Sequence, residues 1–470
     1  MQYLDMKGLY FTRAALPVVQ YRLVKLQLGT IRMWSKKAGL LLAAFVVAAL
    51  AADDGLEPEK ADQHAFSKTI HFILTVILEL FLPSVAAALA IADKLHWSLF
   101  LQYILTGYLV FDVVFLSFPD DSGHENRTSK GTGWFLTILF GIVVFVGTFI
   151  NGSNLVINKF YPHWKSSSNL AGISQYGVSY KIYKITSFLV VPTGWVRVCV
   201  APIALFGFCY DSHTGQCIAH GIMGSSFIMY GFVLSLVLIV PWIRCHPDPE
   251  AKSQDFYDSC LMWLWGLVNT FTEHRWGKEP WSHGDFLHTF LGLIWWAGAS
   301  AALFITRSGG KRTLIPSLLL MFTAYAMKEH GQHQEISVKV HTFFGMALAS
   351  AGLTRIVEIL FILGDKRCSD NGKVLAFQHL PPFCLVLAGL MFMAANEEML
   401  TLVEGLGMNH ASYILLLTSA AFLIYLWMQA LLALYLRLVG YNEDGELLQR
   451  GFGAVPEEEF ELGDLSETEN

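Results

Sequence analysis

The run TGWFLTILFGIVVFVGTFINGSNLVI, residues 132–157, contains no Asp, Glu, Lys or Arg. A bilayer core of about 30 Å is crossed by about 20 apolar residues wound as a helix. The apolar residues of this run do not alternate, so it lacks the period of a strand. Backbone groups in lipid must pair within their own segment, which leaves the helix as the form that spans. Working outward, comparable segments occur at 66–92, 97–117, 187–208, 218–242, 256–273, 283–305, 313–328, 338–363, 374–397 and 409–437, of which 256–273 and 313–328 are the shortest. The expected fold is all-α, a polytopic membrane helical bundle of about eleven transmembrane helices after a signal peptide. Composition agrees: 54% of residues are hydrophobic, 15% are charged, and mean hydropathy is +0.46. Soluble domains carry about 25% charged residues.

The chain divides by composition. Residues 33–51, MWSKKAGLLLAAFVVAALA, place Lys36 and Lys37 before an apolar run ending in small-x-small Ala49-Leu50-Ala51, the pattern of a signal peptide. Residues 1–32 then form an N-terminal extension ahead of the expected start at Met33. Residues 52–160 form an N-terminal membrane region, 161–185 a Ser/Gly/Tyr-rich cytosolic loop, 186–440 a C-terminal membrane domain, and 441–470 an acidic cytosolic tail of disordered composition. Within the tail, Glu443, Leu447 and Leu448 have the form of an acidic dileucine signal, readable by a cytosolic sorting adaptor.

Three signs orient the bundle. A cleaved signal leaves the new N-terminus lumenal or extracellular. Alternation then puts the sequon Asn126-Arg127-Thr128 on that side, where Asn126 accepts a glycan. It also puts Cys209 and Cys217 there, where an oxidising lumen favours a disulfide between them. Finally, the expected inner connections hold more Lys and Arg, among them Arg244, Lys252, Arg307, Lys311 and Arg312, than the outer ones. The expectation is a multi-pass protein of the secretory pathway (endoplasmic reticulum, vacuole or plasma membrane) with a cytosolic C-terminus.

That topology gathers most histidines at the outer mouths of the helices. His220, His288 and His341 each carry a glycine four residues on, one turn deeper on the same face. Glycine there admits either a flat ring or a neighbouring helix. Neutral imidazole is a ligand for zinc, copper and haem iron. A denser set comprises His274, His283, Asp285, His330 and His333, a candidate metal group in which Asp285 precedes His288 by three residues and is placed to orient its ring. The alternative for these stretches is an interfacial loop rich in Trp and His.

Charges also lie inside apolar segments: Glu79, Asp112, Arg197, Arg355 and Glu358. Buried intramembrane charge is rare and is usually paired. Arg355 and Glu358 are spaced to pair on one helix, and Arg197 needs Glu79 or Asp112 from another helix. Such pairs serve either bundle architecture or a proton or ion path. With a net charge of −6 and no basic block, nucleic-acid binding has no support. There is no C-x-x-C pair among the seven cysteines, and no nucleophile elbow, P-loop or dinucleotide fingerprint.

The run Asn269–Trp276, NTFTEHRW, followed by WSHGDFLHT at 281–289 with Gly292, Trp295 and Trp296, resembles the fungal Ytp-type family of membrane proteins. HGIMG at His220, KEHGQ at 328–332 and HTFFG at His341 are similar to it too, so the likeness covers most of residues 180–440; residues 64–160 resemble the family's N-terminal region more loosely. The resemblance implies an integral membrane protein with some similarity to electron-transport proteins and, remotely, to transmembrane b-type cytochromes. In those cytochromes haem b sits between histidines of neighbouring helices, which makes His71, His220, His288, His341 and His379 its candidate ligands. The sequence departs from the two-haem pattern, because the candidates crowd the outer face and only His379 sits suitably near the inner mouth. The leading expectation is therefore haem b or a metal at the outer face acting in redox chemistry. A zinc- or copper-binding or transport protein is the alternative, with a metal-dependent membrane hydrolase after it.

Overall fold

The structure is a computed structural model and describes residues 65–116, 127–160, 178–206, 208–209, 214–245, 248, 250–272, 274, 280–328, 334–364, 366, 368 and 372–441. The signal peptide, the extension before it, Asn126, His330, His333 and the dileucine motif fall outside these residues. The helices are α1 (Ala65–Thr75), α2 (Leu82–Ile91), α3 (Leu95–Phe115), α4 (Arg127–Phe160), α5 (Val178–Phe206), α6 (Thr214–Ile239), α7 (Gln254–Thr272), α8 (His283–Thr306), α9 (Ile315–Lys328), α10 (Glu335–Val357), α11 (Leu380–Met393), α12 (Glu397–Gly405) and α13 (His410–Val439). A π-helical turn, Val76–Phe81, joins α1 to α2, and another, Glu358–Ile362, ends α10.

Among the described residues, nine helical stretches are long and apolar enough to cross a membrane, and no strand occurs. The two segments read as shortest fall on α7 and on α9, a shorter apolar helix of 14 residues. The distribution of polarity is that of a membrane bundle. Phe145 and Phe361 are 73% and 80% exposed on the outer surface, whereas Glu79 is 0% exposed inside. A large exposed apolar surface around buried polar groups is stable in lipid and not in water.

Among the described residues the two largest apolar cores run through the bundle. Leu105, Leu109, Phe140, Val143 and Tyr183 join α3, α4 and α5. Ile228, Phe344, Leu348, Leu385 and Met391 join α6, α10 and α11 in the other. Trp427 links the halves, stacking on Phe81 at 4.6 Å and donating to Ser84 Oγ at 3.1 Å. Helices α6 and α11 run antiparallel along their shared seam. A Cβ on Gly224 would meet Met393 N at 3.0 Å, while one on Gly231 would meet Pro382 O at 2.7 Å. Rising numbers on one helix therefore face falling numbers on the other.

One boundary is corrected. The loop expected over 161–185 ends sooner, because α5 begins at Val178. The helix extends N-terminally to bury Tyr180 and Tyr183. Tyr183 OH lies 2.9 Å from both Ser98 Oγ and Gln102 Oε1, and Lys184 pairs with Asp93 at 2.5 Å. Lysines that resemble loop charges thus stand on a helix whose aromatic face is buried.

Candidate functional site

Three polar centres are built into the bundle. The first lies where α6, α10 and α11 meet. The rings of His220 and His341 stand 6.1 Å apart with planes at 89°, and Phe392 stacks on His220 at 4.6 Å. His220 Nδ1 is 2.8 Å from Gln216 O, and His341 Nδ1 is 2.9 Å from Ser337 O. A carbonyl oxygen only accepts, so each Nδ1 carries the proton and donates. The neutral ring then presents Nε2 as its lone pair, the arrangement found in metal-binding histidines. His220 Nε2 is buried with no hydrogen-bond partner. His288 lies within electrostatic range of His220.

Two imidazoles on opposite sides of one ion have ring centres roughly 6 Å apart, given metal–nitrogen bonds of about 2.0 Å. The observed separation matches this. The seat for a macrocycle is a separate matter. A Cβ on Gly292 would lie 2.6 Å from Thr270 N, and one on Gly345 2.9 Å from Ala324 O. Together with Gly224, these glycines admit neighbouring helices, so the space beside each histidine is closed by protein backbone. The ring separation is that of two donors to one ion, and the three glycines leave a haem no slot.

The other expected ligands lie elsewhere. His71 Nε2 bonds Asp112 Oδ1 at 2.6 Å. His379 Nδ1 lies 3.0 Å from Tyr425 OH. It stands 13 residues before Phe392, about 20 Å along the helix from the histidine pair. Asp285 does not orient His288. It accepts from Ser282 N at 2.9 Å in a capping box at the start of α8, and meets His274 Nδ1 at 3.2 Å. The sequence order Ser282-x-x-Asp285 is that of a helix cap, and the cap claims the carboxylate. His274 in turn stacks on Trp281 at 3.8 Å. His283 begins α8, and its side chain is outside the described set. Cys209 and Cys217 are joined as a disulfide, with Cα atoms 5.5 Å apart. Glu398 accepts from Cys209 N at 2.7 Å, and the bonded sulfurs leave no thiolate for an ion beside that carboxylate.

The second centre lies among α1 to α5. Arg197 reaches Glu79 Oε2 at 3.2 Å and Asp112 Oδ2 at 3.1 Å, and bonds Ser129 O at 3.1 Å and Ser129 Oγ. Both candidate partners of Arg197 are therefore present, and His71 extends the network through Asp112. Glu79 sits in the π-turn, where a Cβ on Gly194 would collide with its carbonyl oxygen. π-turns inside helices recur at functional positions. Glu79 Oε1, Thr75 Oγ1 and Tyr108 OH are buried without partners.

The third centre occupies the opposite end of α6–α11. Arg355 Nη1 bonds Glu358 Oε2 at 2.6 Å, so the i, i+3 pair is formed, and its Nη2 reaches Gln254 Oε1 at 2.9 Å. Arg312 pairs with Asp255 at 3.0 Å, and Gln378 donates to Glu358 Oε1 at 2.9 Å. Sequence reading missed Gln254, Asp255, Gln378 and Arg312 as members of this site. Arg312 and Arg244 read as loop cations. The available signal was Asp255 at the start of a membrane segment, an acid that needs a basic partner. Phe392 gave no signal, since an aromatic in an apolar run is ordinary core.

The chain is similar to known proteins over most of its length. The model of the family described as "Protein YTP1-like, C-terminal" matches residues 193–436. Protein YTP1 of Saccharomyces cerevisiae is 48% identical over 383 residues, covering 82% of this chain and 81% of its own. An uncharacterized membrane protein of Schizosaccharomyces pombe, C3B8.06, is 24% identical over 304 residues, covering 55% of this chain and 58% of its own. No solved structure gives a significant match. With its apolar helical bundle and a relative this similar over most of its length, the chain is an integral membrane protein that belongs to the YTP1-like family.

Proposed function

We propose that this protein holds a transition-metal ion through Nε2 of His220 and His341, at the end of the bundle that faces the lumen. The supporting observation is the His220–His341 pair itself: two rings 6.1 Å apart, each tied at Nδ1 to its own helix. Backbone anchoring fixes the tautomer and the ring orientation before any ion arrives. Imidazole donors suit copper and zinc. Copper makes the site a one-electron redox centre; zinc makes it a binding or transport site.

Metal analysis of the full chain, purified in detergent, tests this. We expect about one equivalent of copper or zinc per chain, as a single site requires, and its loss in His220→Ala and His341→Ala. An electron paramagnetic resonance signal from oxidised protein would assign copper. A Soret band with a pyridine haemochrome spectrum would replace the ion with haem, and a metal-free, colourless protein would end the proposal.

A further inference from the structure

A small, partly open cavity, with about 30 Å³ of space for the centres of water-sized groups, lies at the end of the bundle opposite the histidine pair. Its polar wall is formed by Arg244, Gln254, Arg312, Arg355, Glu358 and Gln378. The charges on that wall are not all spoken for. Arg312 and Arg355 pair with Asp255 and Glu358, and buried Asp258 lies within electrostatic range of both arginines. Arg244 meets no carboxylate among the described residues. Its Nη1 and Nη2 are spent on the backbone carbonyls of Leu238, at 2.7 Å, and Gly372, at 2.6 Å. Those bonds pin the guanidinium and leave its charge in place.

Two donors on this wall are buried and have no acceptor: Arg244 Nε and Gln254 Nε2. Buried N–H groups are nearly always satisfied, so two orphans lining one cavity mark a place for an acceptor. The Arg244 guanidinium, met directly by no carboxylate among the described residues, favours an anion over a neutral acceptor. The remaining wall, including Leu234, Val237 and Pro382, is apolar. The cavity lies where α6 ends and α7, α9 and α11 begin, the depth at which lipid headgroups sit along a membrane bundle.

We propose that this cavity is a phosphate-binding site, taking the phosphate of an anionic lipid headgroup or of a free phosphate ion, with Arg244 and Gln254 as its dedicated donors. The guanidinium and the amide each supply one N–H to the anion. The reading is independent of the metal proposed at the other end of the bundle.

The full chain, reconstituted in nanodiscs of phosphatidylcholine, provides the test. Its thermal unfolding midpoint is followed on adding inorganic phosphate, acetate, or phosphatidic acid within the disc. We expect the midpoint to rise with phosphate, with phosphatidic acid, or with both, and not with acetate. A rise with phosphatidic acid alone identifies the lipid as the source, and an equal rise with inorganic phosphate identifies the free ion. Arg244→Gln should weaken the apparent affinity about tenfold or more, the loss of one charge-assisted contact. Lys311→Gln, an exposed cation on the same end of the bundle, should leave it unchanged. If Arg244→Gln does not fold, Gln254→Glu, which keeps the side chain's shape and adds repulsion, should abolish the rise. No rise with any phosphate probe, an equal rise with acetate, or an equal rise in the Arg244 or Gln254 variant overturns the site.

Discussion

Arg197 is the single side chain on which the N-terminal half of the bundle depends most. It carries the only guanidinium among the described groups that reach Glu79 and Asp112, and both acids are nearly inaccessible to solvent. A buried pair contributes little net stability when intact, but losing one member strands the other charge. Arg197→Met should therefore destabilise the protein by about 3–5 kcal/mol, since two carboxylates are left without it. Combining it with Glu79→Gln should recover part of that loss, because the stranded acid is removed as well. Thermal unfolding of the four members of this cycle in detergent checks the claim. A wild-type midpoint in the Arg197→Met variant would show that the network does not hold the helices. Residue types alone pointed to this pairing, because a charge in an apolar run demands a partner. The Ser129 contribution was not legible, since serine at a helix start is unremarkable in sequence.

Close seams between helices are set by glycine, and the sign of a substitution separates seam from surface. Gly224 faces Gly389 and Met393 across the α6–α11 seam, whereas Gly107 on α3 has nothing within 4 Å of an added Cβ. Alanine in place of an exposed helical glycine stabilises by up to about 1 kcal/mol through lost backbone freedom. Alanine at a closed seam forces the backbones apart, at a cost of about 1–3 kcal/mol. Gly107→Ala should hold or raise the unfolding midpoint, and Gly224→Ala should lower it. Equal effects at both positions would mean that the seam is not tightly packed. Helix placement was largely legible, because twenty or so apolar residues in a row admit few other structures. What escaped were features fixed by partners far along the chain. Tyr183 prolongs α5 by burying its ring against Ser98 and Gln102, more than 80 residues earlier. Asp255 meets Arg312 across 57 residues. No periodicity within one segment encodes either contact. Glycine at i+4 from a histidine left two readings open, and the neighbouring backbone decides for helix packing.

At the scale of the molecule, antiparallel packing sorts the centres by end. The disulfide, the His220–His341 pair and the Arg197 network lie toward one end; the Arg244 cavity lies toward the other. The sequon at Asn126 directly precedes α4, which starts at the first of these ends, close to Ser129 and Arg197. A disulfide persists in an oxidising compartment, and Asn-linked glycans are added in the same lumen. The histidine end should therefore be lumenal and the acidic tail cytosolic. Three measurements on sealed vesicles must then agree. Asn126→Gln should remove an endoglycosidase-sensitive mobility shift. A tag placed after Asn470 should be cleaved by protease added outside. The Cys209–Cys217 bond should resist membrane-impermeant reductant until the vesicles are opened. A protected tag, together with an unglycosylated Asn126, would turn the bundle over. The proposed metal site would then face a reducing cytosol, and the phosphate site would face the lumen. The agreement of all three readouts is thus the condition under which the two ends take the roles proposed for them.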